Sequence, residues 1–394
     1  VFADYVDITV AGFKSGTTSL TDFPVLVRLN EAKRNSTGAV VGGVPGFHYA
    51  SVFSPEEIRF VAISNIQESA VQPEDISNPL SRDRILPYEI ETWNTKGESL
   101  IWVKLPQLTG TATKFRMYWN RRRGAEVVPD KYHSDTWNEG YLAVWHMNGL
   151  VDGAIANSTE LGAVFNATGN VSLVSAQAGR GAYVKDGDLI APDFSPYLEE
   201  NGRFAFSGFY FGDDYVSGNK IIAGQKAGNA YTQADGWAFL ITRTTLFYYF
   251  MSGNNGQSIG CSDISKNWNH FAFYSPQNET GTKYAYCNGT PLTAKSGHII
   301  PNGAPFRLGV KGFSVDELRL SKAERSAAWM KEEYNSVNDK EYCVFSLVNQ
   351  LQSDGVTRAW VNYWTKEPKV TEYVEKGKLK ASDVVPGTLK VGED

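Results

Sequence analysis

Glu89 and Glu91, Asp213 and Asp214, and Asp316 and Glu317 place acidic groups close together along this chain. Retaining glycoside hydrolysis needs two carboxyl groups about 5–5.5 Å apart. On a strand, residues i and i+2 share a face. Glu89 and Glu91 have that spacing. Asp316 and Glu317 are adjacent on a strand and are expected to face opposite ways, and Asp213 and Asp214 fall in a loop. No Glu-x-Asp-x-x-Glu cluster occurs. Each set reads as a solvated face, with acid–base catalysis as the alternative.

Nucleophilic and metal chemistry find less material. The five histidines, His48, His133, His146, His270 and His298, are scattered, and no Ser-His-Asp set assembles from them. No glycine-rich phosphate loop follows a strand. The three cysteines, Cys261, Cys287 and Cys343, lack zinc spacing. Cys261 and Cys287 flank neighbouring strands and are expected to pair in an exported protein, leaving Cys343 free. Three buried thiols are the alternative. Six Asn-x-Ser/Thr sequons occur, at Asn35, Asn157, Asn166, Asn170, Asn278 and Asn288, and they matter only in a host that glycosylates.

These residues must be positioned by β-structure. Aromatic residues make up 13% of the 394, with 37 Gly and only 4 Met, a balance that favours sheets and turns over helices. A net charge of −5 argues against nucleic acid and against an anionic membrane surface as partners. No 18-residue apolar run is present, so no membrane insertion is expected. The chain starts at Val1 on strand-like sequence, which reads as a mature form without its signal peptide, or as a trimmed one.

Strands are expected at Tyr5–Val10, Val25–Leu29 after a turn-prone Asp22-Phe23-Pro24, Ile58–Ile63, Pro87–Trp93, Ser99–Leu105 and Thr113–Trp119. Residues 1–120 thus read as a first β-sandwich. Residues 121–139, opening on Arg121-Arg122-Arg123, read as a linker. A second run of strands follows in 140–340. It closes on Gly312-Phe313-Ser314-Val315-Asp316-Glu317-Leu318-Arg319-Leu320-Ser321 and a short helix around Trp329, capped by Ser326. Residues 341–394 read as a polar C-terminal extension.

The closing run "VDELRLS…RS…W" resembles the end of laminin-G-like domains of the concanavalin A-like jelly-roll class. "AVWHMN" at Ala143–Asn148 resembles their opening strand. Trp268-Asn269-His270-Phe271-Ala272 and Tyr286-Cys287-Asn288-Gly289 resemble their "W-x-H-x-A … Y-x-N-G" hairpin, where Asn-Gly is a strong turn signal. The ordered segments "LTDFPVLVRL", "IRF", "LPYEIETWN", "SLIWVKLP" and "KFRMYWN" resemble a bacterial β-sandwich domain of unassigned function that precedes such domains.

The resemblance implies an all-β chain of two tandem β-sandwiches, the second a concanavalin A-like jelly roll. It implies a secreted or cell-surface, non-enzymatic protein that binds glycan or mediates adhesion. The alternatives are a structural subunit of a surface layer or filament, and a glycoside hydrolase. His146 and His270 fall at structural positions of the pattern. Calcium is implied at Asp186 and Asp188, within a turn and acidic loop at Gly181–Ile190, together with Asp316, with a polar turn as the alternative. Tyr231, Trp237, Tyr248 and Tyr249 lie on segments expected to form the concave sheet, where they would stack on sugars or pack in the core. In the extension, Trp360, Tyr363, Trp364 and Tyr373, with strand-like pieces at Val370–Val374 and Gly387–Val391, are expected to add to a sheet edge. That edge belongs to the same chain or to a neighbouring subunit in a homo-oligomer.

Overall fold

A computed structural model describes residues 2–63, 85–121 and 135–359, apart from short internal stretches, the longest being 195–202, 227–235 and 297–303. The chain is all-β and divides into two compact units. One comprises Val1–Thr136 with Lys340–Asp394, and the other Trp137–Asp339.

The first unit begins with β1 (Phe2–Thr9), β2 (Leu20–Leu29), β3 (Arg59–Ala62), β4 (Tyr88–Thr92), β5 (Ser99–Leu108) and β6 (Lys114–Arg121). Antiparallel pairing gives one sheet containing β1-β6-β3 and another in the order β2-β5-β4. Val6 and Ile8 of β1, Val25 and Val27 of β2, Ile101 and Val103 of β5, and Phe115 and Met117 of β6 are buried. The Asp22-Phe23-Pro24 segment does not turn. β2 runs straight through it, with Asp22 at φ 53° taking the irregularity. Proline is tolerated there because β2 is an edge strand.

In the second unit, the strands are β7 (Tyr141–Trp145), β8 (Phe165–Ser175), β9 (Arg180–Ala191), β10 (Phe204–Gly212), β11 (Val216–Lys226), β12 (Gly236–Arg243), β13 (Thr245–Ser252), β14 (Asn255–Cys261), β15 (Asn269–Ser275), β16 (Thr282–Cys287), β17 (Phe306–Leu308) and β18 (Phe313–Ser321). A helix, α1 (Ala327–Asn338), follows. The hydrogen-bonded order is β14-β13-β12-β11-β17-β9-β18-β10-β15-β16, with β8 beside β9 and β7 beside β18. The start of β9 pairs with β18 and its end with β17, so one strand serves both layers of the sandwich. Between the layers lie Trp145, Phe165, Phe206, Phe271, Phe306, Val315, Leu318 and Leu320. The Trp145 indole stacks on Phe306 at 5.9 Å and donates to the Ala163 carbonyl at 2.9 Å.

The expected turn and acidic loop within Gly181–Ile190 is instead continuous strand. Gly169 of β8 (φ 71°) faces Gly187 of β9 (φ 134°). A Cβ at Gly187 would lie 1.8 Å from the Thr168 carbonyl oxygen, so only glycine lets the two backbones pass this closely. Cys261, ending β14, is bonded to Cys287, ending β16, with Cα atoms 6.0 Å apart, and Cys343 is buried outside that bond.

Helix α1 starts where Ser326 Oγ accepts the Trp329 amide at 3.1 Å. It buries Trp329, Met330, Glu332, Glu333, Ser336 and Val337. No described helix is long and apolar enough to cross a membrane.

After Asp339, the described segments pair with the first unit. Val344–Phe345 pairs with β1, β19 (Asn349–Leu351) pairs with β1 beyond it, and β20 (Thr357–Ala359) pairs with β19. Tyr342 is buried against Gly12, whose amide donates to the Tyr342 carbonyl at 3.0 Å. Strand addition by 344–345, 349–351 and 357–359 is made here within one chain. Trp360, Tyr363, Trp364 and Tyr373, and the pieces at 370–374 and 387–391, lie outside the described residues. So does most of the expected linker, at 122–134.

Candidate functional site

Alternation along three strands of the second unit sorts side chains into a core face and an outer face. Ala182 and Val184 of β9 enter the core, so Tyr183 between them points outward. Phe313 and Val315 of β18 do the same for Ser314, and Tyr210 of β10 for Phe211. Tyr183 pairs with Ser314, and Ser314 with Phe211. Tyr210 pairs with Asn269, which brings Trp268 to the end of the same row. Directly opposed residues share a face. The result is an open groove of about 260 Å³ lined by Val174, Ser175, Tyr183, Phe211, Trp268 and Ser314. The Phe211 and Trp268 rings lie 5.7 Å apart at 45°. Both, like Tyr183, are half-buried, so part of each ring faces solvent.

Farther along the same outer face, helix α1 packs over a chain of ionisable groups. Glu317, with φ 51°, sits at a bulge where the β10–β18 register shifts. Val315 and Leu318 both reach the core, so Asp316 and Glu317 both turn away from it, contrary to the expected opposite orientation. Glu317 pairs with His146 Nδ1 at 2.7 Å and accepts from Arg319 Nη2 at 2.9 Å. Arg319 Nη1 lies 3.6 Å from Glu333 of α1. Glu333 also receives the Ser207 hydroxyl and lies 3.4 Å from His270 Nε2. The Arg319 guanidinium stacks over Trp137 at 5.1 Å.

Burial alone raises both carboxyl pKa values, but their partners prevail. Arg319, His270 and Ser207 bring Glu333 down to about 2, and His146 and Arg319 lower Glu317. For Arg319, burial favours the neutral form, yet Glu333 and Glu317 raise its pKa further. Glu317, Arg319 and Glu333 are 1%, 3% and 4% exposed. Glu333 fastens α1 to the sheet through Arg319, Ser207 and His270. Lys283, also buried, is lowered to about 8 by desolvation.

The sequence-derived candidates fare differently. Trp237 is 2% exposed and packs in the core against Phe204 and Phe206, so it is not a sugar platform. Tyr248 and Tyr249 are on β13, opposite Phe239 and Ala238. Tyr231, Asp213 and Asp214 lie outside the described residues. Asp186, Asp188 and Asp316 do not gather within reach of one ion. Asp316 is fully buried and accepts the Ala178 amide at 2.7 Å, while Asp188 lies 3.6 Å from Arg307. Glu91 sits at a register shift between Ile90 and Thr92 and accepts the Trp102 indole N–H at 2.9 Å. The groove residues Tyr183, Phe211 and Trp268 were not singled out by sequence. Their signal was alternation, large outward aromatics between core residues, and it needed the strand register to connect them.

No family model matches the sequence, and comparison with curated proteins finds no match. Among solved structures, the chain is similar to the binding domain of Paraclostridial Mosquitocidal Protein 1, at 13% identity and TM-score 0.41 over 50% of this chain and 52% of that chain. It is also similar to the binding domain of botulinum neurotoxin DC in complex with rat synaptotagmin II, at 15% identity and TM-score 0.42 over 51% and 52%. A third is the botulinum neurotoxin serotype C1 binding domain, at 14% identity and TM-score 0.42 over 51% and 52%. The chain spans about half the length of these structures.

Proposed function

We propose that the second unit is a glycan-binding module of the laminin-G-like, concanavalin A-like type, and that the chain is a non-enzymatic secreted or cell-surface binding protein. The observation that carries this is the outward row Tyr183–Ser314–Phe211–Trp268 and the groove it lines. Aromatic faces offer an apolar floor for the C–H face of a sugar ring, while the Ser175, Ser314 and Tyr183 hydroxyls offer polar contacts. Catalysis is disfavoured because the described lining residues include no carboxylate.

A glycan array followed by titration calorimetry tests the reading, with the full chain and with Trp268→Ala, each in calcium and in chelator. Binding weakened about tenfold or more by Trp268→Ala is the expected result. Absence of any bound glycan at millimolar ligand overturns it. The calcium arm decides whether an ion contributes.

A further inference from the structure

We infer that the groove takes an uncharged oligosaccharide laid across the strands. This rests on the glycan reading above and narrows it to a ligand class. Among the described residues, the lining is Val174, Ser175, Tyr183, Phe211, Trp268 and Ser314, with no Asp, Glu, Lys, Arg or His. A carboxylate or sulfate seated there loses water and meets no counter-charge, which is costly. Hydroxyls lose much less, because Ser175, Ser314 and the Tyr183 phenol exchange hydrogen bonds with them. Lys185, two residues beyond Tyr183, is exposed, and a solvated surface charge contributes little.

The direction and length follow from the register. Tyr183, Ser314 and Phe211 stand on β9, β18 and β10, and Trp268 precedes β15. Three strand spacings cover about 14 Å, longer than a single sugar ring. The two aromatic ends are separated by Ser314, a small residue that is 5% exposed and forms the floor. A chain of sugars therefore stacks on Phe211 and Trp268 at one end and on Tyr183 at the other. Its middle unit hydrogen-bonds over Ser314.

The test uses the full chain in calorimetric titrations with neutral gluco-, galacto- and manno-oligosaccharides, their monosaccharides, and sialylated and uronic-acid oligosaccharides. Expected are binding by a neutral trisaccharide, a gain of at least about tenfold over the monosaccharide, and little change between low and high salt. Trp268→Ala and Tyr183→Ala should each weaken the trisaccharide, and Ser314→Phe, which fills the floor, should weaken the trisaccharide more than the monosaccharide. Trp268-dependent, salt-sensitive binding that favours the anionic sugars overturns the inference and leaves the glycan reading standing. Equal affinity for mono- and trisaccharide also overturns the cross-strand placement. If neither class binds, or if binding survives both aromatic substitutions, the glycan reading falls with it.

Discussion

Replacing Glu333 by Gln removes a buried charge and keeps the side-chain shape. At neutral pH the carboxylate is held by Arg319, His270 and Ser207, with its pKa brought from 4.5 down to about 2. A group whose folded pKa is depressed stabilises the fold above its unfolded pKa, and that stabilisation fades as pH falls through the folded value. The 2.5-unit difference (4.5 − 2) corresponds to about 3 kcal/mol. For a unit of about 200 residues, each kcal/mol moves the melting temperature by roughly 2–4 °C, so Glu333→Gln should lower it by roughly 6–12 °C at pH 7. The gap between wild type and variant should be constant above about pH 5 and close as pH falls from about 4.5 toward 2. Calorimetric melting of both proteins from pH 7 to pH 3 measures it. A gap below about 2 °C at pH 7, or one that does not narrow in acid, would show that the Arg319–Glu333 contact contributes no net stability.

Two further perturbations probe the framework. Gly187→Ala places a methyl group against the Thr168 carbonyl at φ 134°, and should destabilise the second unit by about 2 kcal/mol or more; an unchanged urea midpoint would mean that the β8–β9 backbones separate easily. Deleting 340–394 removes the strands beside β1 and the Tyr342 contact with Gly12. It should lower the melting temperature of the first unit. Loss of an assembly with the first unit's melting unchanged would instead return these strands to a role between chains.

The all-β class was legible in the sequence because strand signals are local. Alternation and turn residues locate β1, β3, β4, β5 and β6 to within a few residues, and Ser326 marks the helix start by its own hydroxyl. Asp22-Phe23-Pro24 shows the limit: its residue types favour a turn, but an edge position in a sheet overrides them. Trp237 shows another. A strand's pattern tells that its two faces differ, yet not which face meets a second layer, and the fold buries the face that carries Trp237. The bulge at Glu317 is invisible to a period-2 reading, since one positive φ sends two adjacent acids the same way. Tyr183, Ser314, Phe211 and Trp268 lie up to 131 positions apart (314 − 183). Nothing local connects them. They meet because β9, β18, β10 and β15 are neighbours in one register, a choice made by burying Phe206, Phe271, Val315 and Leu318 together.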